Sequence, residues 1–299
     1  MYVDRNFEGV QSTPWEGGMF GFVRGPVRQG DTVAYRTLHE GIDILPVRRN
    51  ASGVPQDDVH ASAAGTVVHI NKLPGASNYG RYIVIEHLIE NSPIYTLYAH
   101  LAEITVHPNQ SVSKGEKIGT LGFTGAGIDK RRAHLHFEIA FRLSDFFETW
   151  HKSHFPGSPN KHGLYNGLNL IGVDPASILL ECNRDANFRL STHVRSQEPA
   201  FSVVFPNTSG FSLVSRYPWL VPDGEPANPP AWKISFTGHG APVKALAAEQ
   251  APSRPTLDWV REQPLSYSIS TRGLITGPKG SPVFSASGLR FIALITGTQ

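Results

Sequence analysis

The run His134-Leu135-His136-Phe137-Glu138-Ile139 places two histidines two apart inside the apolar series Leu135, Phe137, Ile139. A period of two fits a β-strand, on which residues i and i+2 leave from the same face. Both imidazoles then enter one shared space while the apolar residues between them face a core. A strand built this way can set a metal ligand beside a proton-transfer group. In a chain with 13 histidines such a pair also arises by chance, with one ring solvated and one satisfied in the core. The pair gains meaning only with partners.

Upstream, His39-Glu40-Gly41-Ile42-Asp43 sets a histidine and a carboxylate four apart around a glycine. Imidazole and carboxylate are both zinc ligands, and a catalytic zinc takes three protein ligands and leaves a position to water. His39 and Asp43 supply two of these, and one histidine of the strand pair supplies the third. The other strand histidine is left where a general base belongs. A further histidine, His100, ends the apolar run Ile94 to Tyr98.

These pieces, in this order, resemble the lysostaphin-type (LytM-like) zinc endopeptidases, which cut the peptide part of bacterial cell walls. Phe20-Gly21-Phe22-Val23-Arg24 resembles the entry to that domain, and Ala63-Ala64-Gly65-Thr66-Val67-Val68 its first core hairpin. Gly80 to His87 resembles the next strand. Val112 to Gly119 and Gly122-Phe123-Thr124-Gly125 resemble the turn-rich segment before the histidine pair, and Val173-Asp174-Pro175 the closing segment. The likeness spans roughly residues 15 to 180.

The resemblance implies a mainly β fold: an antiparallel β-sheet catalytic domain related to hammerhead-like barrels. Carried over motif by motif, it implies His39, Asp43 and His136 as ligands of one Zn2+ per chain, with His134 and His100 as the catalytic histidines. Zinc there would bring the pKa of a bound water down to about 7. His134 would take the water proton, and His100 would orient the site and stabilise the oxyanion. The substrate class implied is peptidoglycan peptides, as stem or cross-bridge, at an extracytoplasmic (periplasmic or secreted) address. One departure stands out: a longer segment follows Thr124-Gly125, and Ala133 stands where the family has proline. The basic run Asp129-Lys130-Arg131-Arg132 is then expected to border the cleft and reshape substrate preference.

Two readings from other classes compete. Some relatives of this fold have lost their ligands and act as activators of other wall hydrolases, whereas here all five positions are filled. The pattern Ala64-Gly65-Thr66-Val67 followed by Val112, Gly115, Ile118 and Gly119 also occurs in biotinyl or lipoyl carrier barrels. A carrier needs a modifiable lysine between those halves, and Tyr98-Ala99-His100-Leu101 offers none.

Composition sets outer bounds. A length of 299 residues allows two domains. The 27 basic side chains against 25 acidic ones leave a net charge of +2, far from the basic surplus of a nucleic-acid binder. The 29 glycines and 23 prolines favour short strands and turns. Cys182 is the sole cysteine, which excludes an intrachain disulfide and a cysteine-rich zinc site. No apolar run reaches the length of a membrane span. The segment Met1 to Asn6 lacks the basic and apolar regions of a signal peptide, so the extracytoplasmic address implies a leader already removed. A monomer is the expected state.

Residues 1–190 are expected to form the zinc peptidase domain, with an insertion over about 142–172. In that insertion Ser144 is expected to cap a short helix through Trp150, and Asp174 to cap a helix opened by Pro175. His151, His154 and His162 are expected at the surface, and His60, His69, His87 and His107 as structural or solvated. Residues 195–299 read as a smaller β-rich accessory module with strands at 265–270 and 289–295. Its aromatics Phe201, Phe211, Tyr217, Trp219, Trp232 and Trp259 are expected mostly in a core. Every candidate catalytic group precedes residue 140, so a chain ending near residue 190 is expected to keep its zinc and its action on small peptides, unless Phe201, Phe211 or Trp219 packs against the catalytic core, in which case truncation would expose apolar surface and cause aggregation.

Overall fold

The computed structural model describes residues 6–11 and 16–297; the reading of the amino terminus over residues 1–5 lies outside them. The chain is mainly β and antiparallel. Its principal sheet runs in the order Ser111–Val112, Gly65–Asn71, Tyr82–Ile89, Ser92–Ala99, Leu135–Arg142, Leu170–Val173. The strand Leu135–Arg142 has Ser92–Ala99 along one edge. On its other edge two short strands lie end to end: Ile42–Ile44 against Leu135 to Phe137, and Leu170–Val173 against Ile139 to Arg142. That edge is where the upstream motif reaches the histidine pair.

The period-two expectation explains how the sheet is buried. Ile83 and Ile85 fall in one apolar cluster, while Tyr82 and Val84 fall in another. Phe137, Ile139 and Phe141 join the first, so His136, Glu138 and Ala140 belong to the opposite face. There, Tyr165 of the insertion and Tyr79 cover the second cluster. A three-stranded sheet of Leu101–Ile104, Lys117–Leu121 and Asp58–His60, and a hairpin of Gly21–Gln29 with Thr32–His39, complete this half. The loop before Asp58 is tied to the basic loop: Arg49 donates to the Lys130 carbonyl at 2.9 Å and Lys130 to the Ser52 carbonyl at 2.6 Å.

The insertion helix spans Phe147–His154, two residues later than a helix capped by Ser144 would begin. Ser144 Oγ instead accepts from the Phe146 N–H at 3.1 Å and closes the turn ahead of the helix. His151 is buried between Phe147 and Phe155, not at the surface. Asp174 caps the helix Pro175–Arg184 through the N–H groups of Ala176 and Ser177, as expected.

The C-terminal half holds a four-stranded antiparallel sheet ordered Pro242–Ala248, Ala231–Phe236, Phe201–Pro206, Thr256–Val260. Two expected strands are helical instead: Tyr267–Ser270 is a single turn, and Ala286–Thr296 is an α-helix. Ser285 caps the latter by accepting from Gly288 N–H, and Gly297 ends it in the left-handed conformation at φ 67°. Of the aromatics in this half, Phe201, Phe211, Tyr217 and Trp232 are buried, Trp219 is half-buried and Trp259 is exposed. A single apolar cluster runs from Val59 to Ile295 and so crosses both halves. Polar contacts cross as well: Trp150 Nε1 donates to the Arg290 carbonyl at 2.9 Å, and the Arg142 N–H to Tyr217 OH at 2.8 Å.

Candidate metal centre and cleft

Sheet register gathers the site. His136 lies directly across from Asp43 on one neighbouring strand and from Ala99 on the other, and His100 follows Ala99. His39 ends the hairpin strand and reaches the same level through Glu40-Gly41. A Cβ at Gly41 would lie 2.3 Å from the Phe137 carbonyl oxygen, so glycine is required where the motif passes the strand. The spacing of His39 and Asp43 thus comes from a tight passage, not from a helix turn.

His39 Nε2, Asp43 Oδ1 and His136 Nδ1 form a nearly equilateral triangle with edges of 3.0, 3.1 and 3.1 Å. His39 is 1 % and His136 6 % exposed, so water does not satisfy these atoms. Each ring is oriented from behind. His39 Nδ1 lies 2.8 Å from the Met19 carbonyl oxygen, and His136 Nε2 lies 2.8 Å from Glu138 Oε1. Those oxygens only accept, so each ring, when neutral, spends its N–H there and turns the lone pair of its other nitrogen inward. Two such nitrogens 3.0 Å apart, beside a carboxylate oxygen, are a donor set that a shared cation would suit. Zinc bonds of about 2.0–2.1 Å in tetrahedral geometry separate neighbouring ligand atoms by roughly 3.3 Å. The triangle therefore fits such an ion with a slight opening.

Around the triangle the supports are consistent. Burial would raise the Asp43 carboxyl, but the imidazole nitrogens of His134, His136 and His39 close around it outweigh this and hold it far below the usual carboxylate range. Asp43 Oδ2 accepts from Arg24 Nη2 at 2.9 Å. Glu138, only 1 % exposed, also accepts from Tyr79 OH at 2.7 Å. Burial and the neighbouring carboxylates Glu138 and Glu40 push the Tyr79 hydroxyl well above its ordinary pKa, so it stays a donor.

His134 and His100 stand beside the triangle, their ring centroids 4.7 Å apart. His134 Nδ1 lies 2.6 Å from the Arg132 carbonyl and His100 Nδ1 2.8 Å from that of Thr124. Both rings therefore carry their proton on Nδ1 and keep Nε2 as an acceptor. His134 Nε2 is 3.3 Å from Asp43 Oδ1. Burial, with the neighbouring imidazoles of His134 and His136, pushes His100 down to about 3. A neutral His100 with this tautomer accepts at Nε2 and donates there only once protonated.

A cleft of about 600 Å³ opens over all five residues. Its walls include Arg132 of the basic loop, as expected, and His162, Asn166 and Leu168 of the insertion. His162 is not a bystander at the surface: its Nδ1 lies 2.6 Å from Tyr82 OH. Arg272 of the C-terminal half also lines the cleft and pairs with Glu40. Sequence reading missed Glu138, Tyr79 and Arg272 as parts of this site. Glu138 carried a signal, being two residues beyond His136 and so on the same strand face. Arg272 had none in its local sequence.

The fold and cluster thus define a mainly β protein with a buried histidine–aspartate site on a sheet edge. Residues 37–145 match the model of Peptidase family M23, and this segment is a domain of that family. It is 40% identical over 118 residues to peptidoglycan DD-endopeptidase ShyB of Vibrio cholerae, covering 39% of this chain and 24% of that protein. It is also 35% identical over 105 residues to murein hydrolase activator NlpD of Escherichia coli, covering 35% of this chain and 23% of the relative. The chain therefore spans about a quarter of the length of these curated relatives. Among solved structures it is similar to the catalytic domain of lysostaphin from Staphylococcus simulans, with a TM-score of 0.28 and 24% identity over 40% of this chain and 75% of that one. No helix among the described residues is long and apolar enough to cross a membrane.

Proposed function

We propose that this chain is a zinc-dependent endopeptidase that hydrolyses peptide bonds of bacterial cell-wall peptidoglycan, acting outside the cytoplasm. The observation that carries the reading is the buried triangle of His39 Nε2, Asp43 Oδ1 and His136 Nδ1, whose two imidazole nitrogens lie 3.0 Å apart. Those three residues would hold the metal. When bound, zinc supplies Lewis acidity and brings the pKa of a coordinated water to about 7.

The chain's own groups do the remaining work. His134 Nε2 lies next to the triangle, 3.3 Å from Asp43 Oδ1, placed to take the attacking water's proton and return it to the leaving amine. His100 Nε2, also an acceptor, orients that water and becomes a donor to the forming oxyanion once protonated. Arg24 and Glu138 keep Asp43 and His136 in place. Relatives named for peptidoglycan cleavage and for activation of murein hydrolases both match this segment. Retention of all five polar residues favours cleavage. The test is to digest purified peptidoglycan of both wall types, direct cross-link and glycine-rich bridge, and identify new amino termini by mass spectrometry. New termini within the peptide part support the reading, and intact peptides from both walls overturn it.

A further inference from the structure

The catalytic cleft is finished by the C-terminal half, which is the part with no sequence motif. A second, smaller cavity of about 220 Å³ lies between the insertion and the C-terminal helix, walled by Leu143, Trp150, Phe155, Leu274, Phe291 and Leu294. It shares Gly167, Leu168 and Arg272 with the cleft over the metal triangle. Arg272 therefore stands at the junction of a polar cleft and an apolar recess.

Its backbone is held in an uncommon state. Arg272 has φ 54° and precedes Gly273 at φ 77°, a left-handed pair that a non-glycine residue adopts only where its surroundings impose it. Thr271, fully buried, imposes it: its Oγ1 donates to the Tyr267 carbonyl at 2.6 Å and accepts from Ile275 N–H at 3.0 Å. Gly273 N–H closes the turn on the Ser268 carbonyl at 2.8 Å. The guanidinium is thus presented from a fixed turn. Among the described residues its side-chain acceptor is Glu40, next to His39. A guanidinium has five N–H donors in a planar fork, so one ion pair leaves capacity for a second acceptor. The same cleft carries Arg24 and Arg132 against the carboxylates of Glu40 and Asp43, and a bound metal would add positive charge.

We infer that Arg272 forms a carboxylate-binding subsite of the cleft, with the adjoining recess taking an apolar side chain of the same peptide. The ligand class is a peptide bearing a free carboxylate near the scissile bond, held by charge-assisted hydrogen bonds from the arginine. This rests on the peptidase reading for the identity of the ligand as a peptide. It makes Arg272 a specificity residue and not part of the chemistry.

The experiment uses the full chain and two matched, apolar-containing tetrapeptides, one with a free α-carboxylate and one with the α-amide. Equilibrium binding is measured by fluorescence anisotropy, and KM and kcat are measured alongside. Wild type is expected to bind the acid about tenfold more tightly than the amide. Arg272→Gln should abolish that preference and raise KM for the acid alone, with kcat within about twofold. Arg272→Lys should restore part of the preference, and Glu40→Gln should keep it, since the arginine remains. Equal affinity of wild type for acid and amide overturns the subsite, as does an acid preference that survives in Arg272→Gln. If the acid preference depends on Arg272 in binding while neither peptide is cleaved, the subsite stands and the peptidase reading falls.

Discussion

Glu138→Gln isolates the support behind His136, one of the three proposed metal ligands. In the protein Glu138 Oε1 accepts from both His136 Nε2 and Tyr79 OH, at 2.8 and 2.7 Å, in a fully enclosed position. The Tyr79 bond is the same with or without metal, so it cancels from the binding equilibrium. The His136 bond does not cancel, because a carboxylate behind the ring makes Nδ1 a stronger donor to the metal. Glutamine keeps the shape and turns a hydrogen bond to a charged group into a neutral one, a loss of about 1–1.5 kcal/mol. That corresponds to roughly tenfold in zinc affinity, the low end of the 10–100-fold expected for such partners. The assay is competition with a chromogenic chelator near neutral pH, with circular dichroism to verify the fold. Tyr79→Phe leaves the His136–Glu138 contact in place and should cost less than about threefold. Zinc affinity within twofold of wild type in a folded Glu138→Gln protein, or a larger loss in Tyr79→Phe, refutes the reasoning.

His136→Ala should lose zinc by elemental analysis, because two ligands remain. His134→Ala should keep zinc yet lose about a hundredfold or more in turnover; the reverse pattern would exchange their roles. Burial pushes His239 down to about 4 against the ordinary 6.5, with a Gly172 carbonyl contact opposing and Arg272 adding to the shift. Its folded form thus binds fewer protons than the unfolded chain, so stability should fall as pH drops from about 6.5 towards 4. Chemical denaturation across that window should show a flatter acid limb in His239→Gln. Truncation near residue 190 is expected to fail, the alternative in which C-terminal aromatics pack on the catalytic half. It removes Phe201, Phe205 and Trp232 from one continuous cluster and strips Tyr217 from Arg142, so light scattering should show aggregation.

Local rules read much of this chain. The alternation around His136 set the strand and its face, and Asp174-Pro175 marked a helix start that the cap geometry explains. Leu289 to Ile295 was read as a strand because a short, continuous apolar run has no decisive period. The flanking Ser285 and Gly297 carried the helical signal, one as N-cap and one as left-handed terminator. His151 was misplaced because its burial depends on Phe147 and Phe155, on the same helix and just past its end. Arg272 shows a different limit. Its pairing with Glu40 joins residues 232 apart, and the turn that presents it depends on a buried threonine whose partners are set only by the fold.

The most direct test of the central claim is a zinc titration of cleavage by the protein acting alone. Metal-stripped chain is mixed with purified peptidoglycan, and new peptide amino termini are counted as zinc is added, with His134→Ala run in parallel. The account predicts that termini appear with zinc, saturate near one equivalent per chain and vanish in His134→Ala. Termini that form only when a second wall hydrolase is supplied, and equally well with His134→Ala, would contradict it.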